Sequence, residues 1–151
     1  MKHIILTRGF SAVVDDKDYE SCIAQGKWSA LVTKSGKVYA VRGKGVLLHR
    51  FILGVRKRFT QVDHKDGNGL NCRRSNMRKA TVSQNQMNQG KQSSNTSGFK
   101  GVSWDTSHGK WRVRIRVAGK RLCLGSFNLI KDAAKVYAAA AKKYHKEFAK
   151  L

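Results

Sequence analysis

Residues 111–117 alternate strictly between apolar and arginine side chains, in the order WRVRIRV. Successive side chains of an extended strand point to opposite faces of a sheet, so the pattern predicts one apolar face and one arginine face. The segments Gly101–Trp104 and Arg121–Leu124 are predicted as neighbouring strands, because turn-forming residues separate them from the alternating segment. The alternation therefore predicts a small three-stranded sheet with an apolar face to bury.

A long alanine-rich helix is predicted for residues 128–151, directly after this sheet. Its apolar residues recur at steps of three and four and would form one stripe: Ala133, Val136, Tyr137, Ala140, Ala141, Tyr144 and Phe148. The small alanines would let the helix pack closely on the apolar face of the sheet, which leaves the arginine face free. The polar segment Gln89–Ser97 is interpreted as a linker, so the predicted domains are residues 1–92 and 93–151.

The first 48 residues contain short β-type runs that predict a small antiparallel meander: His3–Thr7, Ala12–Val14, Lys27–Thr33, Val38–Val41 and Val46–Leu48. A short helix is predicted within Leu47–Val55, and it contains His49. A histidine in an apolar segment is either a structural residue or a functional one, and the sequence leaves the role of His49 open. A strand, turn, strand and helix are predicted over residues 59–88, so the expected fold class is α+β.

The charge of the chain is strongly unbalanced, with 31 Lys and Arg against 9 Asp and Glu and a net charge of +22. Such an excess repels itself in a compact protein and indicates a polyanionic partner, for which nucleic acid is the leading candidate. No apolar run approaches the ~20 residues of a membrane span. The three cysteines form no CxxC pair, which predicts neither a disulfide framework nor a zinc site and favours a reducing cytoplasm.

The stretch between Gln61 and Asn88 concentrates polar side chains of the kind that carry hydrolytic chemistry: Asp63, His64, Asn76 and Asn85. An oxygen ligand can hold a hard divalent cation, an imidazole can take a proton from water, and an amide can orient that imidazole. The alternative is a turn-rich hairpin without a metal, because Asp-Gly and Asn-Gly are ordinary turn signals. Arg73 and Arg74 could bind phosphates or lie in a solvated loop.

The central stretch resembles the HNH nuclease family, in its phage homing-endonuclease branch. The matching segments are LHR at Leu48–Arg50, VDHKDGNGLNCRRSNMR at Val62–Arg78 and SQNQMN at Ser83–Asn88. The resemblance implies a ββα-metal unit in which Asp63 and Asn85 bind the metal and His64 is the general base. It also implies that Asn76 holds His64 through its side-chain amide. Many members have histidine at the position of Asn85, and an Asp–Asn oxygen pair favours Mg²⁺ or Mn²⁺ over zinc.

The C-terminal segment resembles the APETALA2/ethylene-response-factor DNA-binding domain. The matching segments are SGFKGVSWD at Ser97–Asp105, GKWRVRIRVAGKRLCLGSF at Gly109–Phe127 and DAAKVYAAAAKKYHKEFA at Asp132–Ala149. That family lays its sheet in the DNA major groove, and the residues at its DNA-contacting positions here are Lys100, Arg114, Arg116 and Arg121. Arg112 shares their face. Cys123, Ser103 and Asp105 replace family residues, so the sequence preference of plant members does not transfer.

Together, the two resemblances imply a site-specific, metal-dependent DNA endonuclease of the homing type that acts on double-stranded DNA. A single active site and no obvious dimerisation helix in the sequence predict a monomer. The resemblances also imply a phage-encoded protein that works in the cytoplasm of the bacterial host. No membrane partner is expected, because the sequence has no long amphipathic basic helix. The alternative is a DNA-binding transcriptional regulator with an inactive nuclease unit. An RNA-binding protein would be expected to expose aromatic side chains for base stacking on the sheet face, where this sequence has arginines.

Overall fold

A computed structural model describes residues 1–92 and 94–150 of the chain, and its mixture of helices and small antiparallel sheets confirms the α+β prediction. The strands in the described part are Lys2–Ile5 (β1), Ser11–Val14 (β2), Ser29–Val32 (β3), Val38–Arg42 (β4), Val46–Leu47 (β5), Gln61–His64 (β6), Met77–Ala80 (β7), Val102–Asp105 (β8), Lys110–Val117 (β9) and Lys120–Phe127 (β10). The α-helices are Asp16–Ile23 (α1), Leu48–Ile52 (α2), Val82–Met87 (α3) and Ile130–His145 (α4).

The chain forms two compact units, Met1–Val82 and Ser83–Leu151. The boundary falls at the start of α3, so most of this helix belongs to the second unit. The sequence prediction places the functional boundary further along, near residue 93. In the described parts of both units, no helix is both long and apolar enough to cross a membrane.

The first unit contains three small antiparallel sheets. β1 pairs with β2, β4 lies between β3 and β5, and β6 pairs with β7. The N-terminal strands are thus present as expected but are divided between two sheets, because α1 interrupts the chain between β2 and β3. Apolar side chains from several of these elements form one core, whose fully buried members include Val14, Cys22, Leu48 and Cys72.

The loop before β7 is attached to β2 by backbone hydrogen bonds. Val13 donates to the carbonyl of Leu70 at 2.8 Å, and Cys72 donates to the carbonyl of Val13 at 2.8 Å. Backbone bonds of this kind, next to the buried thiol of Cys72, anchor an otherwise polar loop to the core. The middle of the loop between β6 and β7 is therefore attached to β2.

The second unit is a three-stranded sheet in the order β10-β9-β8, packed on α4. Val113 and Ile115 of β9 are buried against Ala133, Tyr137 and Ala141 of α4, as the alternation and the helical stripe predict.

The predicted helix is longer than the one observed. α4 ends at His145, because Lys146 has a φ of +50° that an α-helix cannot accommodate. Tyr144 was predicted in the apolar stripe, but it is 39% exposed in the last turn of α4. Phe148 lies beyond the α-helix, in a 3₁₀ turn, and is nonetheless buried.

Gly101 lets the backbone before β8 approach the helix closely. Its φ is +72°, and a Cβ atom there would lie 2.2 Å from Cε2 of Tyr137 and 2.6 Å from the carbonyl oxygen of Arg114. The substitution Gly101→Ala is expected to lower the free energy of unfolding by at least about 2 kcal/mol, from overpacking and from left-handed strain. Chemical denaturation with Gly109→Ala as control isolates the clash, since Gly109 has a φ of +58° and no atom within 4 Å of its Cβ position. Equal losses of unfolding free energy in the two variants would show that the neighbours of Gly101 move aside without cost.

Candidate active site

Asp63 and His64 lie at the end of β6 and are both buried, with 2% and 6% of their surface exposed. In the hairpin register, Asp63 is opposite Arg78 and His64 is opposite Met77 of β7. Burial lowers the pKa of His64, and the carboxylates of Asp66 and Asp63 offset part of this effect. The imidazole is thus held in a strand and is neutral near pH 7, the form that can accept a proton.

Arg78 forms an ion pair with Asp63 that the sequence analysis did not predict. Its Nε and Nη2 atoms donate to Oδ2 of Asp63 at 2.8 and 2.7 Å, and both side chains are largely buried. The pair follows from the register, because opposite charges directly across an antiparallel hairpin attract. Pairing the two strands of the predicted ββα unit residue by residue could have found Arg78.

The loop after His64 is organised by the carboxylate of Asp66. Its Oδ1 atom accepts from the backbone N–H of Asn68 at 2.8 Å and its Oδ2 atom accepts from Nδ2 of Asn71 at 2.7 Å. Although burial raises the pKa of Asp66, the hydrogen bonds from Asn68, Asn71 and Asn76 bring it below the usual value. Asp66 therefore shapes the turn as a charged acceptor.

Asn76 differs from the expectation that its amide holds His64. Its Nδ2 atom donates to Oδ1 of Asp66 at 3.0 Å and to the carbonyl of Asn71 at 2.9 Å, and its Oδ1 atom accepts from the N–H of Asp66 at 3.2 Å. Both N–H bonds of the amide are thus donated to residues of the loop between β6 and β7. Asn76 contacts the segment that follows His64, whose carbonyl accepts from the N–H of Gly67 at 2.8 Å.

Three rings meet beside β6. The centroid of His49 lies 5.0 Å from that of His64 with the ring planes at 90°, and Tyr39 lies 5.6 Å from His49 and 6.1 Å from His64. His49 is 6% exposed. Burial lowers the pKa of His49, and together with the nearby His64 and Arg50 it brings the pKa to about 3. The helix α2 thus brings a second neutral imidazole to His64, although 15 positions separate the two residues.

The low pKa of His49 makes the protein sensitive to acid. The unfolded chain takes up this proton below about pH 6.5, whereas folded His49 resists it until about pH 3. Between these values the contribution to the free energy of unfolding is expected to fall by about 1.4 kcal/mol per pH unit as the pH decreases. Urea denaturation across this range should give a steeper pH dependence for the wild type than for His49→Phe. Parallel curves would contradict the assignment.

The carboxylate predicted to bind a divalent cation is that of Asp63. In the described residues 1–92 and 94–150, no three His, Cys, Asp or Glu side chains converge on one point as a metal site. A carboxylate has about four lone-pair positions and can serve both an arginine and a cation. Carboxylate oxygen is a ligand that hard cations such as Mg²⁺ accept, whereas a structural zinc site usually needs four nitrogen or sulfur ligands.

The remaining predicted residues of the central stretch have different environments. Asn85 lies in α3, within the second compact unit. Arg74 clamps the first unit internally, because Nε and Nη2 donate to the carboxylate of Asp18 and Nη2 also donates to the carbonyl of Ile52 at 2.9 Å. Arg73 donates from Nε to Oδ1 of Asn71 at 2.9 Å. Arg74 thus has a structural contact that its sequence context did not reveal.

The predicted basic residues of the second unit fall into two groups. Arg116 and Arg121 are exposed and lie directly opposite each other on β9 and β10. Like charges in such a pair repel, which favours an anion between them. Two others have protein partners, because Arg112 forms an ion pair with Asp105 and Arg114 donates to the hydroxyl of Ser103 at 3.2 Å.

Lys100 is also held by the protein. Its ammonium donates to the carbonyls of Met87 and Gln89, both at 2.6 Å, and burial lowers its pKa with a smaller effect from Lys150. A lysine with two carbonyl partners has one remaining proton to donate. Of the residues predicted to contact DNA, Arg116 and Arg121 therefore present the most accessible positive charge.

Comparison with known proteins adds two matches. Residues 60–87 match the HNH endonuclease family. "Protein 3.8" of Escherichia phage T7 is 36% identical over 90 residues, which cover 60% of this chain and 74% of that protein. No solved structure matches significantly. Neither match concerns a homing endonuclease or an APETALA2 domain, so these two resemblances stay predictions from the sequence.

Proposed function

We propose that this chain, which belongs to the family of phage T7 Protein 3.8 and contains an HNH endonuclease segment at residues 60–87, is a metal-dependent, site-specific DNA endonuclease. The observation that carries the proposal is the neutral, buried imidazole of His64 beside the buried carboxylate of Asp63 in that segment. A purely structural hairpin gains nothing from burying these two groups, since each loses hydration.

In the proposed reaction, His64 accepts a proton from a water molecule that attacks the phosphorus of a phosphodiester. Asp63 would hold a divalent cation, and that cation would supply positive charge to the transition state. Arg78 orients the carboxylate of Asp63 by donating from Nε and Nη2 to Oδ2. The hydrogen bond between Asn76 and Asp66 orders the turn after His64. We propose that this order fixes the orientation in which the imidazole meets the attacking water. The role of Asn85 as a second ligand and the identity of the ion as Mg²⁺ or Mn²⁺ remain predictions.

The second unit supplies the proposed contact with double-stranded DNA. Its exposed, opposed Arg116 and Arg121 support this, because two cations held side by side are stabilised by a phosphate. Arg112, Arg114 and Lys100 would also bind DNA phosphates, once each has given up its protein partner. Arg73 of the first unit is proposed as a further phosphate contact. The functional domains remain, by proposal, residues 1–92 for cleavage and 93–151 for DNA binding. We further propose homing-type target choice by a monomer in the host cytoplasm, and the phage origin of the relative supports the setting.

Cleavage of supercoiled plasmid and phage genomic DNA tests this function. Wild-type protein should cut the DNA with Mg²⁺ or Mn²⁺ and should not cut it in the presence of a chelator. The His64→Ala variant, purified in parallel, is the control for contaminating nuclease. Cutting by wild type alone, and only with metal, is the expected result. Tight binding of DNA that stays uncut with either metal would instead favour the alternative, a DNA-binding transcriptional regulator with an inactive nuclease unit.

The arginine pair also makes a salt-dependence prediction. Each phosphate contact contributes about 0.9 to the slope of log affinity against log salt on B-DNA. The double variant Arg116→Gln/Arg121→Gln is therefore expected to reduce that slope by about 1–2. Lys142→Gln/Lys143→Gln removes the same charge from the exposed side of α4 and is the matched control in fluorescence anisotropy titrations. An equal loss in both variants would mean that affinity depends on net charge rather than on the sheet face.

A further inference from the structure

His49 is a buried polar residue that the proposed mechanism does not use. Within residues 1–92 and 94–150, its Nδ1 atom is buried and has no hydrogen-bond partner. Leaving such an atom unsatisfied costs about 1–3 kcal/mol, whereas an apolar ring of similar shape would carry no such penalty. The only aromatic neighbours of His49 in this part of the chain are Tyr39 and His64, both in ring contact. Packing alone therefore does not account for a histidine at this position.

The environment of His49 also assigns its tautomer. A neutral imidazole carries one proton, either on Nδ1 or on Nε2. Buried N–H groups without an acceptor are rarer in proteins than under-satisfied acceptors, so the proton belongs on Nε2. The ring stays neutral near pH 7, since burial and the neighbouring His64 and Arg50 disfavour the charged form. His49 thus offers a hydrogen-bond donor without the cost of burying a cation.

We propose that His49 is a second catalytic histidine, which donates a hydrogen bond from Nε2 to a non-bridging oxygen of the phosphate that His64 prepares water to attack. The proposal rests on the proposed function and adds a separate role to it. The two ring centroids are 5.0 Å apart, so one phosphate group can be reached from both rings. A neutral imidazole suits this task, because it stabilises charge that develops in the transition state and has no charge of its own to lose.

Ring-nitrogen NMR on histidine labelled with ¹⁵N tests the donor without requiring cleavage. His49 is expected to show the Nε2–H tautomer in free protein, and its Nε2 resonance should shift when duplex DNA binds in the presence of chelator. A proton on Nδ1 would overturn the proposal, as would an unchanged Nε2 resonance in saturating DNA. Failure to bind any DNA would overturn this proposal together with the proposed function, whereas DNA cleavage without a shift at His49 would overturn this proposal alone.

Kinetics of matched variants test the catalytic role. His49→Phe keeps a ring against Tyr39 and His64 but removes the donor, and its kcat is expected to fall by about 10²–10³ with KM nearly unchanged. His49→Gln, which restores an N–H donor, should recover part of that loss. The control is Tyr39→Phe, which changes a ring that packs against both histidines but leaves the imidazole of His49 in place. This variant should cut at close to the wild-type rate.

Unfolding measurements exclude a trivial explanation. His49→Phe should be at least as stable as wild type near pH 7, because the unsatisfied nitrogen is gone. A stable His49→Phe variant with wild-type kcat would show that the ring only packs against His64, and it would contradict the proposal.

Discussion

Replacing His64 with alanine is expected to lower the rate of DNA cleavage by about 10²–10⁴, the usual contribution of a general base. The side chain is buried at the end of β6, and burial lowers its pKa, so it is deprotonated at neutral pH. Its removal leaves the attacking water without a proton acceptor, and the proposed DNA binding by the second unit is expected to be unaffected. Single-turnover cleavage at saturating protein measures the loss directly.

Two further readouts distinguish a missing base from a damaged fold. Added imidazole should restore part of the cleavage by His64→Ala, because a small base can enter the space that the side chain vacates. In wild type, the acidic limb of the pH–rate profile should lie below about pH 6.5, the ordinary pKa of histidine. Wild-type activity in a folded His64→Ala variant would rule out His64 as the base.

The substitution Arg78→Met is expected to destabilise the metal-free protein by about 3–5 kcal/mol, the cost of leaving a buried charge without its partner. The carboxylate of Asp63 is 3% exposed and the side chain of Arg78 is 12% exposed, so water cannot replace the lost guanidinium. Thermal and urea unfolding in chelator measure the loss. A change below about 1 kcal/mol would show a pair screened by solvent.

The same variant tests whether Asp63 can hold a cation. Mg²⁺ or Mn²⁺ should stabilise Arg78→Met more than wild type, because the bound ion replaces the missing positive charge. The double variant Asp63→Leu/Arg78→Met removes both charges and should recover much of the stability but no response to metal. A metal response that persists in the double variant would place the ion elsewhere.

Local patterns allowed much of the fold to be predicted. The alternation in residues 111–117 predicted β9 with one buried face, and the observed burial of Val113 and Ile115 follows it. The three- and four-residue steps predicted the face of α4 that packs on this sheet, but not the early end at His145 or the exposure of Tyr144. A positive φ at Lys146 ends the α-helix and begins the 3₁₀ turn Lys146–Phe148, and periodicity does not report backbone dihedral angles.

The candidate site could be approached from the sequence only as far as its polar residues. The identities of Asp63, His64 and Asn76 suggested a metal, a base and an orienting amide, whereas the hydrogen bonds of Asn76 go to the loop at Asp66 and Asn71. Arg78 was missed, although its position opposite Asp63 follows once the hairpin register is known. The hydrogen-bond partners of a side-chain amide in a loop depend on which acceptors the folded turn brings close to it. Residue type alone does not specify these partners.

The fold class and the arginine face of β9 could be predicted from the sequence, because strand and helix periodicities depend on neighbours within a few positions. The cluster of polar residues between positions 61 and 88 could also be read directly from the sequence. The folded chain was needed to show that Arg78 pairs with Asp63, that Arg74 binds Asp18 and that His49 lies against His64. These contacts join residues that different strands, helices and loops bring together. The packing of the whole unit sets the geometry of these contacts. A buried charge or polar ring is stable only where its neighbours replace the hydrogen bonds that it made to water.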